Sequence, residues 1–120
     1  MKKIDKLPEL SEHSIQQLCI NYLKYKSYFV MRLNSGAIRT DKGNMVRMAR
    51  TGTPDIMCFK NIEEEGSYHH NGCVNLLFIE VKRPGNKPTF AQEQMMKELE
   101  EKGGQCYVIH NLEELQKIVW

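Results

Sequence analysis

The apolar positions of this 120-residue chain change their period several times, and each change marks an element. From Ser11 onward Ile15, Leu18, Cys19, Tyr22 and Leu23 recur every three to four positions, the spacing of one helix face. With Ser11 as N-cap, a helix is expected over about 11–26. Residues 28–33 are rich in β-formers and read as a strand that ends in the turn Asn34-Ser35-Gly36. Residues 37–50 are polar and basic with no clear period, which leaves either a hairpin or a mobile loop. Gly52-Thr53-Pro54 breaks the chain, and Asp55 leads into a second strand, Ile56-Met57-Cys58-Phe59. After a polar connection over 61–73, residues 74–82 form the third strand, apolar on both faces at its centre as a central strand should be. Arg83 to Pro88 cannot continue it. Thr89 opens a helix through about Lys102, with Ala91, Met95, Met96 and Leu99 inward and Gly103-Gly104 as its stop. Cys106 to His110 is a fourth strand, and Asn111 caps a last short helix carrying Leu112, Leu115, Ile118 and Val119.

The unit from Val74 to His110 runs strand, helix, strand through short turns, which favours a parallel crossover. The fold class expected is therefore α/β, in one domain covering residues 1–120. Apolar residues make up 41% and charged residues 27%, the balance of a globular chain with a solvated surface. No apolar stretch follows Met1-Lys2-Lys3, and the run Leu76 to Ile79 is too short for a bilayer, so neither a secretory signal nor a membrane span is expected. Four widely spaced cysteines without a CxxC pair point to a reducing, cytoplasmic setting and away from zinc. The adjacent pair His69-His70, and His13 and His110, have no motif around them and are read as ordinary surface or strand-end residues.

Charge adds a direction to this picture. The chain carries only +2 overall, yet residues 21–60 carry +6 and residues 90–120 carry −3. A basic middle section gives one region of the surface that could meet a polyanion.

The candidate chemistry sits at the end of the third strand. Glu80 and Lys82 are two apart and so share a face, while Ile79 and Val81 take the other. Glu80 follows four apolar residues, where a carboxylate costs free energy unless a cation or hydrogen bonds compensate. A second carboxylate, Asp55, opens the preceding strand. If those two strands pair antiparallel, Asp55 and Glu80 converge at one edge of the sheet. Close carboxylates repel, and a divalent cation relieves the repulsion; hard oxygen ligands select Mg²⁺ or Mn²⁺. With Lys82 beside them to orient a hydroxide or neutralise a phosphate, the set suits phosphodiester cleavage. The plainer reading of Asp55 is a turn residue, and that of Glu80 and Lys82 is an exposed strand end.

Gly52-x-Pro54-Asp55, then Glu80-x-Lys82, then Thr89-x-x-Gln92 at a helix start, in that order, resembles the PD-(D/E)XK nuclease superfamily. More narrowly the chain is similar to the VRR-NUC family in its stand-alone form, over roughly residues 11–110. The resemblance implies a restriction-endonuclease-like core, a mixed central β-sheet flanked by α-helices. It implies Asp55 and Glu80 as metal ligands with the carbonyl of Val81, Lys82 as the catalytic lysine, and Gln92 near the active site. Glu12, with Gln16 one turn later, matches an acidic residue of the first helix that reaches the metal directly or through water. Gln92 alternatively serves only its own helix in a capping box, and Glu12 alternatively only favours a helix N-terminus. Arg47 and Arg50 could hold phosphates, and Asn34, with Ser35 and Gly36, could approach the nucleic acid.

The activity implied is Mg²⁺- or Mn²⁺-dependent cleavage of DNA, selective for branched or junction structures, by a homodimer, with no small-molecule substrate and no membrane partner. A compact phage- or mobile-element-encoded protein suits that size. The alternatives are a nucleic-acid-binding module of the same fold that does not cut, and a purely structural partner protein.

Overall fold

In the computed structural model, residues 9–33, 37–47, 50–62 and 73–120 are described. Their elements are α1 (Glu12–Tyr25), β1 (Phe29–Arg32), β2 (Ala37–Arg39), β3 (Met45–Arg47), β4 (Ile56–Asn61), β5 (Val74–Val81), α2 (Phe90–Glu101), β6 (Gln105–Ile109) and α3 (Leu112–Ile118). The main sheet has the order β1-β4-β5-β6, antiparallel at β1–β4 and β4–β5 and parallel at β5–β6. The parallel pairing expected from the sequence is present, and so is the antiparallel pairing on which the meeting of Asp55 and Glu80 depended. The antiparallel one joins the two acid-bearing strands, and the parallel one closes a crossover through α2.

Helix α1 begins where the Ser11 side chain accepts the Ser14 N–H, and it buries Ile15, Cys19, Ile20 and Leu23. Leu18, expected inward, is 40% exposed. The buried stripe turns toward Ile20 instead, which carries it away from position 18. The helix meets one face of the sheet, where Ile56 lies opposite Ile79 and Cys58 opposite Leu77. Val81, Ile109, Leu115 and Val119 complete that core, so α3 packs on the same side, and the Tyr22 hydroxyl donates to the Val119 carbonyl. Removing one of these fully buried aliphatic side chains should cost about 2–5 kcal/mol. Cys19 and Cys58 belong to this interior, and burial pushes their thiols up to about 11 and about 12. They are filler, not nucleophiles.

The opposite face carries Phe78 and Glu80, and α2 covers it. Thr89 caps that helix in a complete capping box with Gln92. Met95 is buried, and Ala91, Met96 and Leu99 are half-buried. At its end Gly103 takes φ 97°, while the Gly103 and Gly104 N–H groups return to the carbonyls of Glu100 and Leu99. The Gly-Gly stop read from the sequence is thus a left-handed helix ending.

The aperiodic basic segment is a hairpin. β2 and β3 form a separate two-stranded sheet, with Ile38 opposite Val46 and Arg39 opposite Met45. Strands of three residues are too short to show a period, which is why the sequence left loop and hairpin equally open. Among the described residues no helix is long and apolar enough to cross a membrane.

Candidate active site

Asp55 directly precedes β4, and continuing the β4–β5 register one step past Ile56–Ile79 sets it opposite Glu80. Two backbone bonds fix Asp55 there. The Val81 N–H donates to its Oδ2 at 2.7 Å, and its own carbonyl accepts the Leu33 N–H at 2.8 Å. Pro54 behind it is fully buried.

Gly52 sets the approach of this turn to α2. Its φ is 90°, and a Cβ built on it would lie 2.4 Å from the Ala91 carbonyl oxygen and 3.0 Å from the Gln92 nitrogen. Only a residue without a side chain lets the Asp55 turn lie this close to the first turn of α2.

Glu80 is 2% exposed. Its Oε1 accepts from Gln92 Nε2 at 3.0 Å, and its Oε2 is buried with no hydrogen-bond partner. Gln92 uses both ends of its amide. Oε1 accepts the Thr89 N–H at 2.8 Å, completing the cap, and the cap turns Nε2 toward Glu80. One side chain thus caps its own helix and also reaches the buried Glu80 carboxyl.

Burial comes first among the causes that push the Glu80 carboxyl up to about 8, with the charge of Asp55 next. The Asp55 carboxyl is also raised by burial, against the Val81 N–H, which favours its ionised form. The two carboxyls are close enough to hydrogen-bond, but only if one of them holds a proton. With both ionised, Glu80 Oε2 has no donor.

Lys82 is half-buried just beyond β5, and its backbone N–H still donates to the Ile109 carbonyl at 3.0 Å. Its positive charge favours the ionised forms of Asp55 and Glu80. Val81 is buried as the last residue of β5. Glu12, in the first turn of α1, is near enough for its charge to raise both carboxyls. Among the described residues no three His, Cys, Asp or Glu side chains form a metal-sized cluster, so Glu12 stands back from the acidic pair.

Arg50 forms an exposed ion pair with Glu98 of α2. Such a pair contributes roughly 0–1 kcal/mol and is open to competition from a phosphate. Arg47 ends β3, and its side chain lies outside the described residues, as does Asn34 altogether.

One support was not read from the sequence: His110 braces the segment between Lys82 and α2. The His110 ring nitrogens lie 3.1 Å from Glu114 Oε2 and 3.1 Å from the Asn86 carbonyl oxygen. The His110/Glu114 spacing of four was visible, but Asn86 is 24 residues away and was not.

The residues fit a hard divalent cation. The acidic pair offers acceptor-only oxygens, the pair repels itself when ionised, and one buried Glu80 oxygen lacks a donor. A mixed sheet with helices on both faces, an acid at the start of one strand and an acid and lysine ending its neighbour, defines an α/β fold of restriction-endonuclease-like type. The family model described as the VRR-NUC domain matches residues 10–111, and the chain belongs to that family of nuclease-associated domains. A solved structure titled "VRR_NUC domain" superposes with a TM-score of 0.61 at 18% identity, covering 90% of this chain and 92% of that one. At that identity the likeness concerns the fold. No curated protein matches the chain.

Proposed function

We propose that the chain is a Mg²⁺- or Mn²⁺-dependent DNA nuclease, selective for branched or junction DNA and acting as a homodimer. The observation that carries this reading is Glu80: a carboxylate 2% exposed, facing Asp55, with one oxygen lacking any donor. Membership of a nuclease-associated family supports phosphodiester hydrolysis as the reaction.

Asp55, Glu80 and the Val81 carbonyl would hold the cation, with Glu12 acting through a water. Bound there, the ion would lower the pKa of a water and offset negative charge on the phosphate oxygens. The protein's own part is positional. The Val81 N–H orients Asp55 and favours its ionised form, Gln92 pins one Glu80 oxygen so that the other is free, and Lys82 brings a positive charge to the attacked phosphate. Water attacks phosphorus in line with the leaving 3′ oxygen, giving a 5′-phosphate product.

Incubation with branched, flapped and linear DNA, with and without Mg²⁺ or Mn²⁺, tests the reading. Cleavage should require metal and favour branched substrates. Lys82→Ala and Asp55→Asn should still fold and bind DNA, and cleavage should fall by about 10²–10⁴-fold. Binding without cleavage under either metal would reject the enzyme in favour of a non-cutting module.

A further inference from the structure

The β2–β3 hairpin is basic and forms a sheet separate from the main one. Its tip is closed by three hydrogen bonds: Thr40 N–H to the Asn44 carbonyl at 2.7 Å, Gly43 N–H to the Thr40 carbonyl at 2.8 Å, and Asn44 N–H to Thr40 Oγ1 at 3.2 Å. Gly43, at φ 82°, supplies the left-handed residue this turn needs. Among the described elements, β2 and β3 pack substantially only on each other. Yet Met45 is 60% and Val46 47% exposed, apolar surface that a hairpin serving only as a connection does not need.

The hairpin's roots are beside the acidic site. On one side the chain leaves the sheet at Leu33, whose N–H donates to the Asp55 carbonyl. On the other it returns through Arg50, whose carbonyl accepts from both the Thr53 N–H and the Thr53 hydroxyl, just before Asp55. Residues 37–47 hold Arg39, Lys42 and Arg47 against Asp41, a net charge of +2 on eleven residues. Arg39 and residues 41–44 of the tip, Lys42 among them, are exposed.

The geometry points to this hairpin as an arm that enters a groove of duplex DNA flanking the scissile phosphate. A two-stranded ribbon fits the major groove, roughly 12 Å wide and 8.5 Å deep, and each three-residue strand spans roughly 10 Å before the turn. Met45 and its cross-strand partner Arg39 share one face of the ribbon, where Met45 contacts sugar and base edges and Arg39 the adjoining phosphate, while Lys42 meets phosphate from the tip. The inference rests on DNA being the substrate of the neighbouring site. It adds that affinity for duplex comes from an element separate from the residues that cut.

Binding measured in EDTA separates the two claims, because no cleavage is involved. The parent, Arg39→Ala/Lys42→Ala, and a variant with residues 38–46 replaced by Gly-Ser-Gly are titrated with a labelled duplex over a range of salt. Thermal melting checks that each is folded. The double substitution should weaken binding about tenfold or more and lower the salt slope by about 2, while removal of the arm should weaken it further. Parental affinity and slope in the folded arm-less variant overturn the arm. So does a variant that binds DNA normally but sediments as a smaller species, which would assign Met45 and Val46 to a second copy of the chain. A parent that binds duplex through the arm yet cuts no DNA with metal leaves the arm standing and removes the nuclease reading.

Discussion

The two ends of the β4–β5 ladder are built from the same pair of strands and treat polar residues in opposite ways. At the far end Lys60, Asn61 and Asn75 are open to solvent, with the Lys60 ammonium 4.7 Å from the centre of the Tyr28 ring. At the near end Asp55 and Glu80 face each other beneath α2, and Glu80 is removed from water almost entirely. A polar residue at the far end is simply what strand alternation leaves outside. One at the near end opposes folding unless hydrogen bonds, a neighbouring charge or a bound cation offset the desolvation. The contrast separates residues that tolerate the fold from residues the fold tolerates for their chemistry.

The comparison is broken most severely at Gly52. Gly52→Ala places a methyl group against the Ala91 carbonyl at a left-handed backbone position. It should cost about 3 kcal/mol or more in urea unfolding, by forcing the Asp55 turn off α2. An Ala variant as stable as the parent would show that the turn and helix are not in contact.

Glu80→Gln sharpens it. The Glu80 carboxyl is raised from its ordinary 4.5 to about 8 in the folded chain, so between those values the folded state holds a proton that the unfolded state has lost. Stability of the metal-free protein is therefore full below about pH 4.5 and falls as pH rises toward about 8, by on the order of a few kcal/mol. The Gln variant should lose most of that dependence and be the more stable protein at pH 8. Equal melting-temperature slopes for the two proteins between pH 5 and 8 would mean that Glu80 is better solvated than its burial indicates.

Thr89→Ala removes the cap of α2 and loosens the Gln92 amide. A loss of about 1 kcal/mol is expected, with Thr89→Ser restoring most of it, read from urea midpoints. At the opposite end Lys60→Ala and Asn75→Ala should each stay within about 0.5 kcal/mol of the parent in the same assay. A larger loss there would erase the distinction between the two ends.

Much of this was legible in the sequence because it depends on local period and pairing. The strand runs at 56–59 and 74–82 already implied that antiparallel partners would bring Asp55 to Glu80, and the register does so. The helix signals at Ser11, Thr89, Gly103 and Asn111 are all at element ends, since capping depends on residues within one turn. What could not be read required contact over long separations. Gly52 resembles any turn glycine until α2 is packed on it. Gln92 could be read as a cap or as a site residue because nothing local says that an amide's second end will find a buried carboxylate. The hairpin was ambiguous for a third reason: its strands are shorter than the window in which a period can be recognised.

The packing of Gly52 on α2 also ties the site to the docking of that helix. Lifting α2 from the sheet would return Glu80 to water and take Gln92 from its oxygen, so the acidic pair keeps its shape only while the Gly52 turn and the helix stay in contact.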